Sequence, residues 1–314
     1  MQPLTLSGRT VLVTGGTGFI GTHLVRRLLK DSTIRLVLLY RSAAAEKYEG
    51  VTHITASLDR LSPETWLGEG IDRIDFLFHL AAFTPKTREQ GDLVEEVYRD
   101  NLLGTRSLLE SLPAPPMRII FSSTLDVYDA LTGDSVLTES SPLRPSNLYA
   151  ASKLFCEQLV RSYARLHNCG YSILRYGHIF GPGEEVYGKL IPQTIKQILS
   201  GKSPVIYGDG SAERDLLYVT DAVEATLRAA TSVAPELGPL NIVRGESTSI
   251  RRIVEILMAA LNHSGRIQYV NNDAPGTSFR FDNGLMRREL GEWNLVPLEE
   301  GLKEESLYFQ GLNL

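Results

Sequence analysis

The sequence predicts an α/β fold, a doubly wound parallel sheet followed by a smaller C-terminal lobe. Three observations carry this prediction. Short apolar runs alternate with amphipathic stretches through the first half of the chain, a glycine-rich turn joins the first run to the first helix, and the alternation breaks down after Gly181-Pro182-Gly183. Strands separated by helices pair in parallel and are covered on both faces, so they read as continuous apolar runs. The chain's 314 residues suffice for one large α/β unit, or for one domain with a smaller companion.

Taken in order, Arg9 to Thr14 (RTVLVT) is a short apolar run ending in glycines and reads as a buried strand. Phe19 to Lys30 has helical spacing, with Ile20, Leu24 and Leu28 on one face. Ile34 to Leu39, Val51 to Ala56, Asp75 to Ala81 and Met117 to Ser122 are the next strands. Leu93 to Leu112 reads as one long helix, and so does Tyr149 to His167; Tyr171 to Arg175 is a sixth strand. Beyond Gly183 segments shorten and turns crowd in, at Gly201, Gly208-Asp209-Gly210, Gly238-Pro239 and Pro275-Gly276. The boundary is therefore placed at residue 183, with 184–314 forming mainly the smaller lobe and some of its segments returning to the first domain. Glu305 to Gly311 resembles a protease recognition sequence, with Ser306 where asparagine is usual; it also reads as the end of an amphipathic helix starting near Leu298.

Composition narrows the function. A formal net charge of -5 argues against non-specific nucleic-acid binding, which needs basic patches. Two cysteines, Cys156 and Cys169, make neither a zinc site nor a disulfide framework, so a reducing cytoplasm is expected and no metal. No apolar run approaches the roughly 20 residues of a membrane span, so no membrane partner is expected.

The turn Thr14-Gly15-Gly16-Thr17-Gly18-Phe19-Ile20-Gly21 places G-x-x-G-x-x-G between strand and helix. Glycines let the backbone approach a pyrophosphate, which then sits at the positive end of the helix. Strand, loop, helix and second strand stand in the order that a Rossmann dinucleotide site requires. An NAD site wants a carboxylate at the end of the second strand. Leu36 to Ala45 (LVLLYRSAAA) has none; Arg41 offers a guanidinium and Ser42 a hydroxyl, which suit a 2′-phosphate. NADP(H) is therefore expected over NAD(H).

Tyr149-Ala150-Ala151-Ser152-Lys153 puts Tyr149 and Lys153 on one helix face. A free tyrosine, with a pKa near about 10, is a poor base at neutral pH. A neighbouring ammonium stabilises the phenolate and is expected to lower that value, giving a group that exchanges a proton with a carbinol or carbonyl.

With these motifs the chain resembles the extended short-chain dehydrogenase/reductase family, in its sugar-nucleotide epimerase, dehydratase and reductase members. The resemblance rests on TGGTGFIG from Thr14, HLAA from His79, Asn101 with Gly104, FSST from Phe121, VYD from Val127, YAASK from Tyr149, GPG from Gly181 and RDLLYVTD from Arg214. It implies that Thr124 partners the catalytic tyrosine and that Lys153 also holds the nicotinamide ribose. Gly15, Thr17, Gly18, Phe19, Ile20, Gly21, Leu80, Ala81 and Ala82 would line the cofactor. Arg214 would meet the substrate diphosphate, unless it pairs with Asp215 or Asp221. The two long helices would pair across a two-fold axis, giving a homodimer.

Several residues depart from the family pattern. Dehydratases carry two acids after the threonine, and this chain has Leu125-Asp126, so dehydration is disfavoured. Asp129 replaces a usual glycine, and Ala274-Pro275-Gly276 replaces a usual Arg-Pro-Gly. His178 and Lys189 stand where 4-epimerases carry asparagine, and they or Arg280 are candidate substitutes in the diphosphate cradle. His79, inside an apolar strand, and Cys156 read as packed rather than reactive. The expected function is an NADPH-dependent reductase of a nucleotide-linked 4-keto sugar. Alternatives are a 4-epimerase on retained NAD and, from another class, a non-catalytic dinucleotide-binding scaffold.

Overall fold

The computed structural model describes residues 4–42, 47–87, 89–128, 136–270, 277–278 and 280–312. Asp129 and Ala274-Pro275-Gly276 lie outside the described residues.

The first strand, β1 (Thr10–Thr14), leads through the glycine turn into α1 (Phe19–Leu28) and then β2 (Arg35–Tyr40) and β3 (Thr52–Thr55). A short helix α2 (Pro63–Leu67) precedes β4 (Phe76–His79). The helix expected over Leu93 to Leu112 runs without interruption over 94–111, as α3 (Val94–Glu96), a π-helical stretch over Val97–Leu103, and α4 (Gly104–Ser111). The extra residue per turn accompanies Asn101, whose buried side chain bonds outside the helix; π-bulges often mark such positions. Next come β5 (Arg118–Thr124), α5 (Leu148–His167), β6 (Gly170–Tyr176) and β7 (His178–Phe180). The remaining elements are α6 (Leu190–Leu199), β8 (Val205–Tyr207), β9 (Glu213–Tyr218), α7 (Val219–Thr231), β10 (Glu236–Ile242), β11 (Ser247–Ser249), α8 (Ile250–Ala260), β12 (Gln268–Val270), α9 (Gly284–Leu290) and α10 (Leu298–Gly311).

Seven strands form one parallel sheet in the order β10-β6-β5-β4-β1-β2-β3. This is a Rossmann-like doubly wound sheet: the chain runs outward from β1 in one direction, then restarts at β4 and runs outward in the other. The period of two along each strand divides the core. Val11 and Val13 pack with Leu24 and Val25 of α1 and Ala222 of α7 on one face. Leu12, Val37 and Leu77 pack with Leu108 of α4 and Val160 of α5 on the other. Two small sheets lie outside the large one: β11-β9-β7 and β12-β8. β10, although late in sequence, completes the edge of the large sheet beside β6. Helix α10 starts at Leu298 and buries Leu302, Glu305, Ser306 and Phe309, so the protease-like stretch is part of a packed helix. Among the described residues, no helix is long and apolar enough to cross a membrane.

Candidate active site

A cleft of about 1090 Å³ opens where the carboxyl ends of β1 and β4 diverge, the switch point at which ligands enter such sheets. Its floor is the glycine turn. Gly15 has φ +76°, and a Cβ there would lie 2.6 Å from the backbone nitrogen of Ala81. A Cβ on Gly21 would lie 2.0 Å from the Gly15 carbonyl oxygen. Only glycine permits this approach of loop, helix and β4. Gly18 caps α1 without a side-chain hydrogen bond, which leaves the first amides of the helix facing the cleft. That is a cradle for an anion, and a dinucleotide pyrophosphate fits it. Thr17, Phe19 and Ile20 line it from below, and Leu80, Ala81 and Ala82 from the end of β4.

At the end of β2 the expected pair separates. Arg41 lines the cleft, whereas exposed Ser42 is not among the lining residues. The Arg41 side chain is 71% exposed and donates to Asp100 at 2.8 Å. Asp100 also accepts from Arg99 at 2.7 Å, so one carboxylate sits between two guanidiniums and the group carries net positive charge.

Farther in, Thr124 ends β5 and Tyr149 opens α5. Asn147 fixes that start: its Oδ1 accepts from the Ala150 amide at 2.8 Å. Tyr149 is buried, with the Thr84 and Thr124 side chains beside its hydroxyl. Burial, followed by the nearby Asp126 carboxylate, pushes its hydroxyl pKa well up from the ordinary value; the two threonines pull the other way. This corrects the expectation that Lys153 lowers it. Lys153 Nζ is turned elsewhere, donating to the Ser122 carbonyl at 2.6 Å and lying 4.9 Å from the Phe121 ring centroid. Burial draws its own pKa down to about 8. Asp126 faces the cleft, its amide donating to Thr124 Oγ1 at 3.2 Å, and its carboxyl is raised by its low-dielectric surroundings.

The opposite wall comes from the C-terminal half. His178, on β7, and Lys189, before α6, line the cleft beside Tyr187. Burial, then Arg214 and Lys189, holds His178 down at about 4, so it is uncharged at neutral pH. Lys189 donates to Glu184 at 2.9 Å. Arg214 and Arg280 are not among the lining residues. Arg214 Nη1 donates to the carbonyls of Glu213 (2.7 Å) and Thr277 (2.6 Å), and Arg280 Nε to Glu213 at 2.5 Å. Asp215 accepts from the Arg244 and Gly245 amides, and Asp221 from Trp293 and Val296. His79 is fully buried between the Thr14 and Thr105 hydroxyls and Cys156 is packed, as the apolar context suggested.

Thr84 was not legible in the sequence. Its place follows from the loop after β4, where Asn101 Oδ1 accepts from the Phe83 amide at 2.7 Å while Nδ2 donates to Ser152 Oγ on α5 at 2.9 Å. Asn101 thus ties the Thr84 loop to the Tyr149 helix, a contact joining segments 51 residues apart.

A dinucleotide cradle at the switch point of a parallel sheet, opening onto buried Thr124 and Tyr149, with Lys153 one turn along α5 but not among the lining residues, defines a class: an NAD(P)-dependent enzyme. The chain belongs to the NAD-dependent epimerase/dehydratase family, whose model matches residues 11–242. It is 31% identical to a dTDP-glucose 4,6-dehydratase of Neisseria gonorrhoeae, over 94% of each chain. It is 28% identical to a dTDP-4-dehydro-6-deoxy-D-allose reductase of Streptomyces bikiniensis, over 97% of each. Among solved structures it resembles UDP-glucuronic acid 4-epimerase from Bacillus cereus in complex with UDP-glucuronic acid and NAD. There the TM-score is 0.82 at 25% identity, covering 96% of this chain and 99% of that one.

Proposed function

We propose that the protein is an NADPH-dependent reductase of a nucleotide-linked 4-keto sugar, with Tyr149 as the proton donor. The observation that carries this reading is the placement of the Tyr149 hydroxyl: buried at the cleft with Thr84, Thr124 and Asp126 around it, where burial raises its pKa and favours the protonated form. A ketone reduced to an alcohol needs a proton at its oxygen, and a positioned acid that keeps its proton supplies one. The dinucleotide, when bound, supplies the hydride. Gly15, Gly18 and Gly21 would hold its pyrophosphate, Leu80 to Ala82 would flank it, and Lys153 would reach its nicotinamide ribose by releasing the Ser122 carbonyl. Thr124 orients the ketone oxygen toward Tyr149. The sugar nucleotide enters against the opposite wall, where His178 and Lys189 meet it. Arg214, behind His178, takes the diphosphate by releasing the carbonyls of Glu213 and Thr277, and Arg280 adjoins it through Glu213. Leu125, an apolar side chain where dehydratases carry an acid, supports reduction over dehydration. The positive group of Arg41, Asp100 and Arg99 at the ribose end supports NADP(H).

One observation favours a second reading, a 4-epimerase on retained NAD: the fold is that of an epimerase solved with NAD and a UDP-sugar. Such an enzyme uses the same Thr124, Tyr149 and Lys153. The discriminating experiment supplies NADPH and a nucleotide-linked 4-keto sugar and follows loss of reduced nicotinamide. Stoichiometric oxidation of NADPH with formation of the alcohol supports the reductase. Tightly bound NAD in the purified protein, with interconversion of 4-epimers and no net NADPH consumption, overturns it in favour of the epimerase.

A further inference from the structure

A buried polar network lies behind the Tyr149 helix, and the chemistry above leaves it without a role. Tyr149, Lys153 and Glu157 recur every four residues on α5 and share one face. Each faces one of three consecutive residues of β5. Tyr149 meets Thr124, Lys153 donates to the Ser122 carbonyl at 2.6 Å, and Glu157 Oε1 accepts from Ser123 Oγ at 2.6 Å. The Glu157 side chain is wholly buried. Arg175, on β6, grips it as a fork, Nε to Oε1 at 2.9 Å and Nη2 to Oε2 at 2.8 Å. The third nitrogen, Nη1, donates to the Tyr128 hydroxyl at 2.8 Å, which donates to Asn241 Oδ1 at 2.7 Å. Tyr128 itself lines the cleft.

Stability alone does not call for this arrangement, since apolar residues of similar volume commonly replace a buried ion pair without loss. We propose that Glu157, set in place by Arg175 and Ser123, is a positioning residue that keeps the buried Lys153 ammonium charged and the end of β5 aligned with Tyr149. The reach is short, one helical turn from Glu157 to Lys153. The surroundings leave few other sources of charge. His79 faces Lys153 from β4 but is held down at about 3 by burial, hence neutral. Burial pushes the Cys156 thiol up, and Tyr149 keeps its proton. Cys156 and then Glu157, the latter ion-paired with Arg175 at 2.8 Å, both act to raise Lys153 against a desolvation that draws the ammonium down to about 8. Arg175 offsets part of that field, and Glu139 faces Arg175 and Tyr128 from the other side.

The two partners must then act with opposite signs. The inference rests on the assignment of Tyr149 and Lys153 to the reaction, but its primary readout does not need turnover: an NMR titration of the isotope-labelled Lys153 side chain, assigned with Lys153→Met. Glu157→Gln keeps the shape and removes the charge, so Lys153 should titrate about one pH unit lower. Arg175→Gln leaves the carboxylate unopposed, so Lys153 should titrate higher. Glu157→Asp restores the charge and should return the titration toward that of the parent, which keeps the test decisive if the Arg175 variant does not fold. In turnover assays the alkaline fall of kcat should move with Lys153 in each variant. Equal Lys153 titration in the Glu157→Gln and Glu157→Asp proteins, or shifts of the same sign for Glu157→Gln and Arg175→Gln, would overturn the proposal and leave the network a packing element. Undiminished turnover in Tyr149→Phe would instead refute the underlying assignment, whatever Lys153 does.

Discussion

At the scale of single residues, charge placement decides more than identity. Arg41 reads in the sequence as a 2′-phosphate partner because the end of β2 lacks an acid. The structure places it at the cleft but commits its Nη1 to Asp100, a residue 59 positions away that no local pattern connects to it. A charge-assisted hydrogen bond contributes about 1.5–3 kcal/mol, and solvent exposure takes the expected effect toward the lower end. Arg41→Ala should therefore raise the Kd for NADPH about 10-fold and leave NADH nearly unchanged, as isothermal titration would read. Equal losses for both cofactors would remove the 2′-phosphate role. The same distance problem hid Thr84. Tyr149 and Lys153 stand out in the sequence through a four-residue helical spacing, a local signal, and Thr124 through the resemblance to the family. A hydroxyl delivered by a loop 65 residues earlier in the chain carries no such mark.

At the scale of elements, the apolar runs that form the large sheet were legible because parallel strands buried on both faces have a simple signature. The stretch over 93–112 is not the single regular helix that its sequence suggests. Its apolar spacing is helical, but spacing does not reveal the π-helical stretch that accommodates Asn101. Helix α10 shows another feature outside the reach of pattern. Glu305 is completely buried and faces the buried Glu184, which Lys189 pairs. Burial, then the neighbouring Glu184, drives the Glu305 carboxyl well above the carboxylate range. A carboxyl whose pKa is raised on folding favours the fold most below its unfolded value, about 4.3, and loses that contribution as pH rises through the folded value. Thermal stability should thus decline as pH rises above about 4.3 and the proton is drawn from this pair. Glu305→Gln, which needs no proton to stay neutral, should flatten the decline and raise Tm at the alkaline end. A parallel decline in the variant would show that Glu305 is not the group responsible.

At the scale of the whole molecule, the cofactor half and the opposite wall meet at one cleft, and the two long helical segments carry exposed apolar side chains among polar ones. Val94 (67% exposed), Tyr98 (51%) and Phe155 (53%) lie there, on elements that also cover the sheet. We predict a homodimer through this surface, seen as twice the 34.8 kDa chain mass in light scattering and converted to monomer by Phe155→Glu. A parent protein that remains monomeric at micromolar concentration would refute it. A further prediction follows from the proposed function, in which Tyr149 moves the proton in an NAD(P)-dependent reaction on a nucleotide-linked sugar. Its most direct test is Tyr149→Phe, which keeps the ring and deletes the hydroxyl, assayed with NADPH and a nucleotide-linked 4-keto sugar beside a cofactor-binding titration. Turnover should fall at least about 100-fold with the Kd for cofactor unchanged; near-normal turnover in that variant would contradict the assignment of Tyr149.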